Sequence, residues 1–167
     1  MFRKIQDFES VWSQEVDATK KIFKHIPDRF LSQSVYPEGR TLGRIAWHIV
    51  LTIPEMMNRT GITVAGPHED APVPSSMKEI LGVYEEAARS LLEQVKSKWN
   101  DNSLEETDEM YGQVWKRGVT LTVLVAHQTH HRGQITVLMR QAGLKVPGVY
   151  GPAKEEWAQW GMPEPTL

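Results

Sequence analysis

Cysteine is absent from all 167 residues. The chain can therefore form no disulfide, offers no thiolate to a metal and has no cysteine nucleophile. Histidine and carboxylate are left as its coordinating groups. Also missing is any apolar run approaching the ~18 residues of a membrane span. The opening stretch, Met1 to Asp7, lacks the uninterrupted apolar segment of a secretory signal. A cytoplasmic protein with no membrane partner is the expectation. Neither sign of charge is in excess, with 19 basic residues against 21 acidic ones and a net charge of −2. Such a balance gives no general attraction to phosphate backbones, so no nucleic-acid partner is expected. Internal repeats and low-complexity tracts are lacking as well. With 40% hydrophobic and 24% charged residues, the chain has the ordinary balance of one globular domain, here 1–167, long enough to bury a real core.

Four long amphipathic segments are present. The first covers roughly residues 2–25, with Ile5, Phe8, Trp12, Glu15, Thr19, Ile22 and Ile26 on its inward face and Pro27 ending it. Glu15 is the anomaly in that stripe, because a buried carboxylate needs a cation or donors to offset its desolvation. A small rotation of the helix is expected to let it reach water. The second segment starts at the N-cap Thr41 and runs to about Thr60, with Gly61 as its stop. It buries Leu42, Ile45, Ile49, Ile53 and Met56, and Pro54 within it predicts a kink. The third begins at the capping box Ser76-Met-Lys-Glu79 and buries Leu81, Tyr84, Ala88, Leu91, Leu92, Val95 and Trp99. The fourth is expected from an N-cap at Thr120 to about Ala142, with Gly143 just past its end. A last short helix, Ala153 to Trp160, would pack Trp157 and Trp160 on the rest. Between the third and fourth segments, residues 100–119 form the longest connection. Gly112 and Gly118 bracket Gln-Val-Trp-Lys-Arg there, which suits a short hairpin or a lid, with Tyr111 and Trp115 available to cover a site. The architecture expected from this pattern is all-α, a four-helix bundle.

Three of the six histidines fall within five residues of the fourth segment. Leu124, His127, His131, Ile135 and Leu138 are spaced three or four apart and share one helical face. Two imidazoles at i, i+4 on a buried face can reach one metal ion from successive turns. His127-Gln-Thr-His-His131 has the spacing of the zinc-peptidase motif H-E-x-x-H. Gln128 stands where that motif carries its general-base glutamate, and an amide cannot take a proton from water, so peptidase chemistry is not expected. A catalytic mononuclear site usually has three protein ligands and an open position. His48, at the edge of the second segment's apolar stripe, is the best third ligand, with Glu15, Glu55 or His130 behind it. His130 projects to the side of the pair and reads as a flank. His25 and His68 fall at a helix end and in a loop rich in Gly and Pro, and both are expected to be exposed.

At this point the chain resembles the DinB/YfiT family. The resemblance rests on Leu42-Gly-Arg-Ile-Ala-Trp-His48, on His127-Gln-Thr-His-His131-Arg132-Gly133-Gln134-Ile135, and on Leu138-Met-Arg-Gln-Ala-Gly143 with Pro147 after it. It implies an up-down-down-up four-helix bundle, often a homodimer, with a divalent metal such as nickel or zinc on three histidines. Carried over by position, those are His48, His127 and His131. Some members of the family are transferases using bacillithiol or similar low-molecular-weight thiols, and one is a mycothiol-dependent isomerase. Thiol transfer to a small electrophilic substrate is the leading expectation, with metal-assisted hydrolysis by bound water behind it and a non-catalytic metal- or ligand-binding bundle as the alternative. In that setting Glu15 or Glu55 would orient a ligand histidine or relay a proton.

Overall fold

The order of elements along the chain is α1 (Ile5–Phe23), α2 (Leu42–Met57), α3 (Met77–Lys98), β1 (Thr107–Met110), β2 (Gln113–Lys116) and α4 (Arg117–Gln141). The computed structural model describes residues 1–163 and 166. Each of α1 and α2 packs against both α3 and α4, so α1 and α2 lie diagonally across the bundle. Contacts at the helix ends set the directions. The start of α1 meets the end of α3, where the Ile5 amide donates to Asp101 (2.8 Å). It also meets the start of α4, where the Phe2 amide donates to the Gly118 carbonyl (3.2 Å). The end of α2 likewise faces the start of α4. The result is the expected up-down-down-up bundle, with a two-stranded hairpin inserted before α4.

Local chemistry explains most of the boundaries. Thr41 caps α2 by accepting from the Arg44 amide, and Gly61 terminates the turn after it at φ +78°. Ser76 caps α3 through the Lys78 amide. Beyond α4 the Gly143 amide donates to Arg140 and the Leu144 amide to Met139. Those two bonds, with Gly143 at φ +72°, form the Schellman motif. Helix α2 is buried on nearly all sides, thirteen of its sixteen residues being inaccessible, and it forms the centre of the core.

Four sequence expectations are corrected. Helix α4 begins at Arg117 rather than after Thr120, because β2 feeds straight into it. The Arg117 guanidinium pairs with Glu106 and Asp108 and fixes that first turn, while the Thr120 hydroxyl bonds back to the Lys116 carbonyl. The buried stripe of α3 is rotated slightly, with Ile80 and Ala87 inside and Leu81 and Leu92 half-buried. The short C-terminal helix is reduced to one 3-10 turn, Trp157–Trp160, and Trp160 is 67% exposed. The Gly148 and Ala153 amides converge on the Glu156 carboxylate there and hold the segment as a loop. Finally, Glu15 does not reach water, for it is only 7% exposed.

The partner that makes Glu15 tolerable inside the bundle is Arg132. Its guanidinium donates to the Glu15 carboxylate (2.5 Å), to the Glu15 carbonyl (3.2 Å) and to the Thr19 hydroxyl (3.0 Å). The Tyr150 hydroxyl, which also contacts Arg132, donates to Glu15 at 2.8 Å, and the Thr129 hydroxyl does so at 3.2 Å. This network ties α1, α4 and the C-terminal segment together.

Candidate metal centre

His48 leaves α2 at its single half-buried edge, facing α4, while His127 and His131 leave α4 one turn apart. The antiparallel packing of α2 on α4 brings the three rings together. Ring centres lie 5.0 Å (His48–His127), 4.7 Å (His48–His131) and 4.3 Å (His127–His131) apart. One nitrogen from each ring lies within 4.8 Å of the other two. The Nε2 atoms of His127 and His131 are 3.1 Å apart, a separation that two ligands ~2.0–2.1 Å from a common zinc-like ion satisfy.

Protonation favours the same use. His131 Nδ1 lies 2.7 Å from the Gln134 amide oxygen. An amide oxygen only accepts, so the His131 proton sits on Nδ1 and its Nε2 presents a lone pair towards His127. His127 Nδ1 is buried and has no hydrogen-bond partner among the described residues. Burial pushes His48 down to about 4, with further depression from His131, His127, Arg40 and Arg44. Burial also pushes His127 down to about 4, and His131 and His130 add to the effect while Glu55 opposes it. His131 is lowered by burial too, offset in part by its bond to Gln134. All three imidazoles are thus uncharged at neutral pH, as ligation requires. The donor set, the convergence and the charge state fit a divalent ion.

The remaining candidates are placed as follows. His130 is exposed at the flank, its ring 4.9 Å from that of His131 and its Nε2 accepting from the Gln134 amide (3.0 Å). Gln128 turns away from the cluster into the core, where its oxygen accepts from the Tyr84 hydroxyl (2.9 Å). Glu55 lies at the cluster's side and accepts from the Tyr111 hydroxyl (2.6 Å) and from Arg59 (2.9 Å). Glu15 is held by Arg132 on the α1 side of α4. His25 and His68 are exposed, and His68 contacts Asp70. The hairpin expected at 100–119 is present, with Tyr111 (φ 54°) and Gly112 (φ 76°) forming its two-residue turn. A tyrosine held in the left-handed region is uncommon. It is anchored by its bond to Glu55 and by Arg59 stacked over its ring at 5.0 Å.

Two cavities open onto the cluster. One, of about 420 Å³, is walled by Arg44, His48, Glu55, Glu69, Tyr111 and His127. The other, of about 440 Å³, reaches His131 from the connection between α1 and α2. Sequence reasoning did not single out Arg40, Arg44 or Arg132. Only Arg132 left a local signal, as a charge four residues after Gln128 on a segment otherwise facing the core.

A four-helix bundle bearing a three-histidine cluster between its second and fourth helices is the class that the fold and the site define. The DinB family model matches residues 1–162, and the chain belongs to the DinB family. It is 44% identical over 167 residues, the whole of both chains, to the uncharacterized protein YrdA of Bacillus subtilis. A crystal structure of a DinB-like protein from Bacillus cereus superposes with a TM-score of 0.86 at 42% identity, covering 90% of this chain and 100% of that one. The DinB-like protein YjoA of Bacillus subtilis shares the fold at 16% identity, with a TM-score of 0.68 over 86% of this chain and 96% of its own.

Proposed function

We propose that the protein is a metal-dependent enzyme in which His48, His127 and His131 hold a divalent ion, nickel or zinc, and that it transfers a small thiol to an electrophilic small molecule. The observation that carries this reading is the convergence of three uncharged imidazoles, their ligand atoms within 4.8 Å of one another, with one cavity on the side of His48 and His127 and another on the side of His131. A bound divalent ion supplies Lewis acidity, under which a neighbouring thiol or water gives up its proton nearer neutral pH. The chain's own residues do the rest. Burial keeps the imidazoles neutral, and Gln134 holds the His131 ring in one tautomer. Since the chain has no cysteine, the sulfur nucleophile enters as a low-molecular-weight thiol cosubstrate.

The carboxylates favour transfer over hydrolysis. Gln128 replaces the base of the peptidase motif, Glu15 is locked by Arg132, and both oxygens of Glu55 already accept hydrogen bonds. Glu55 therefore acts as a positioning residue, holding Tyr111 and the hairpin beside the histidines. Metal-assisted hydrolysis is the second reading. In its favour stands Glu69, an exposed carboxylate on the wall of the same cavity as His48 and His127. The test begins with metal analysis of protein purified without a nickel column. A panel of thiols and electrophiles, assayed with and without added metal, then separates the readings. Metal-dependent consumption of thiol supports transfer, and metal-dependent turnover without thiol supports hydrolysis. Stoichiometric metal without any turnover would identify a non-catalytic metal- or ligand-binding bundle.

A further inference from the structure

The cavity that reaches His131 differs in character from its neighbour. Its wall includes Val35, Tyr36 and Val137, which are 59%, 59% and 54% exposed. Large apolar side chains left this open on one wall mark a surface that covers something else. Arg40 stands on the same wall, and among the described residues no acidic one does. Arg40 also enters no ion pair among the described residues. The neighbouring cavity, in contrast, sets one cation, Arg44, against two carboxylates, Glu55 and Glu69, so its wall is acidic and does not favour an anion. A volume of about 440 Å³ is that of a small-molecule site.

We infer that this cavity binds a small apolar molecule carrying one negative charge, its body against Val35, Tyr36 and Val137 and its anionic group on Arg40. An apolar wall alone would hold a neutral hydrocarbon equally well. The Arg40 guanidinium, in no ion pair among the described residues, has a planar fork that matches a carboxylate or sulfonate and selects the anion. Because the cavity ends at His131, such a molecule is delivered to the histidine cluster while the second cavity stays free for a more polar partner. The two cavities then give each substrate of a transfer reaction its own entrance. That last role rests on the metal-dependent reading above, whereas the ligand chemistry of the cavity does not.

Benzenesulfonate is a suitable probe, being apolar, singly charged and a poor metal ligand. Methyl phenyl sulfone keeps the shape without the charge, and methanesulfonate keeps the charge without the ring. Calorimetric titration of each into metal-free and zinc-loaded protein, with the zinc content measured in the same samples, tests the assignment. Benzenesulfonate should bind both forms, about tenfold more tightly than either control, and Arg40→Gln should abolish that preference. Arg44→Gln, the same charge change on the other cavity, should leave benzenesulfonate affinity unaltered. Failure to take up zinc with benzenesulfonate still bound would sink the metal reading and spare this one. The inference is overturned if benzenesulfonate does not bind, if the sulfone binds as tightly, or if Arg40→Gln has no effect. It is also overturned, in favour of a second copy of the chain, if wild type ignores benzenesulfonate while Val137→Asp splits a dimer seen by light scattering.

Discussion

Replacing Arg132 by methionine removes a buried cation from a carboxylate that cannot reach water. The two side chains are 3% and 9% exposed, so the pair is screened by almost no solvent. Breaking a buried pair by deleting one partner costs about 3–5 kcal/mol, because the survivor is left charged and uncompensated. Here the Tyr150 and Thr129 hydroxyls still donate to Glu15 after the change, which places the expected loss near the lower end, about 3 kcal/mol. For a chain of this length that corresponds to a melting temperature lower by roughly 6–12 °C. Urea unfolding followed by far-UV circular dichroism measures it. Adding Glu15→Met to Arg132→Met removes the stranded charge and should recover part of the loss, since the Thr129 hydroxyl keeps the Val125 carbonyl and the Tyr150 hydroxyl as partners and no buried ion remains. The Arg132 guanidinium bonds to Glu15, Thr19, Thr129 and Tyr150 and to none of the three histidines, so the folded variant should take up as much zinc as wild type. A loss below about 1 kcal/mol, or a double variant no more stable than Arg132→Met, would refute this account of why Glu15 is buried.

Other expectations follow from the same structure. His48→Ala, His127→Ala and His131→Ala should each abolish stoichiometric metal, while His25→Ala and His68→Ala should keep it, as read by elemental analysis. In metal-free protein the NMR titrations of His48 and His127 should have midpoints near 4 rather than 6.5. Both groups bind protons less readily folded than unfolded, so stability should be full above pH 6.5, fall as the pH drops towards 4 and then level off. A midpoint near 6.5 for either imidazole would remove the burial argument. Gly118→Ala would place a methyl 2.3 Å from the Phe2 carbonyl oxygen, a backbone atom that cannot swing aside. It should cost about 1–3 kcal/mol in urea unfolding, and an unaffected variant would show that the N-terminal arm does not pack there.

Much of the bundle is legible locally because its signals are local. Thr41, Ser76 and Gly143 each bond to amides or carbonyls within a turn of themselves, Gly61 takes its left-handed conformation in place, and the boundaries they mark are those found. The stripe of α1 is legible for the same reason, down to the burial of Trp12, Thr19 and Ile22. Helix α4 is harder. Its inward positions mix Leu124 and Ile135 with Gln128 and Arg132, so no clean apolar face announces which way it lies. The anomaly of Glu15 and the anomaly of Arg132 answer each other across 117 positions, and periodicity does not reach that far. The hairpin lacks a strong turn dipeptide, since Tyr111 takes a position where asparagine or aspartate is usual. His127 and His131 could be read as a pair from their spacing. The third member of the cluster needed the family resemblance, because one histidine on the edge of a stripe has no distinctive spacing.

The histidines stand on α2 and α4, in the core of the bundle, but much of the cavity walls comes from the segments that join the helices. Tyr36 and Arg40 belong to the connection before α2, Glu69 to the one after it, and Tyr111 to the hairpin turn. Stability and selectivity are therefore written in different parts of the chain. Mutational drift in the joining segments can change what is admitted without disturbing the helices that carry the histidines. A scaffold divided in this way can change the ligands it admits by exchanging its loops, at little risk to its folding.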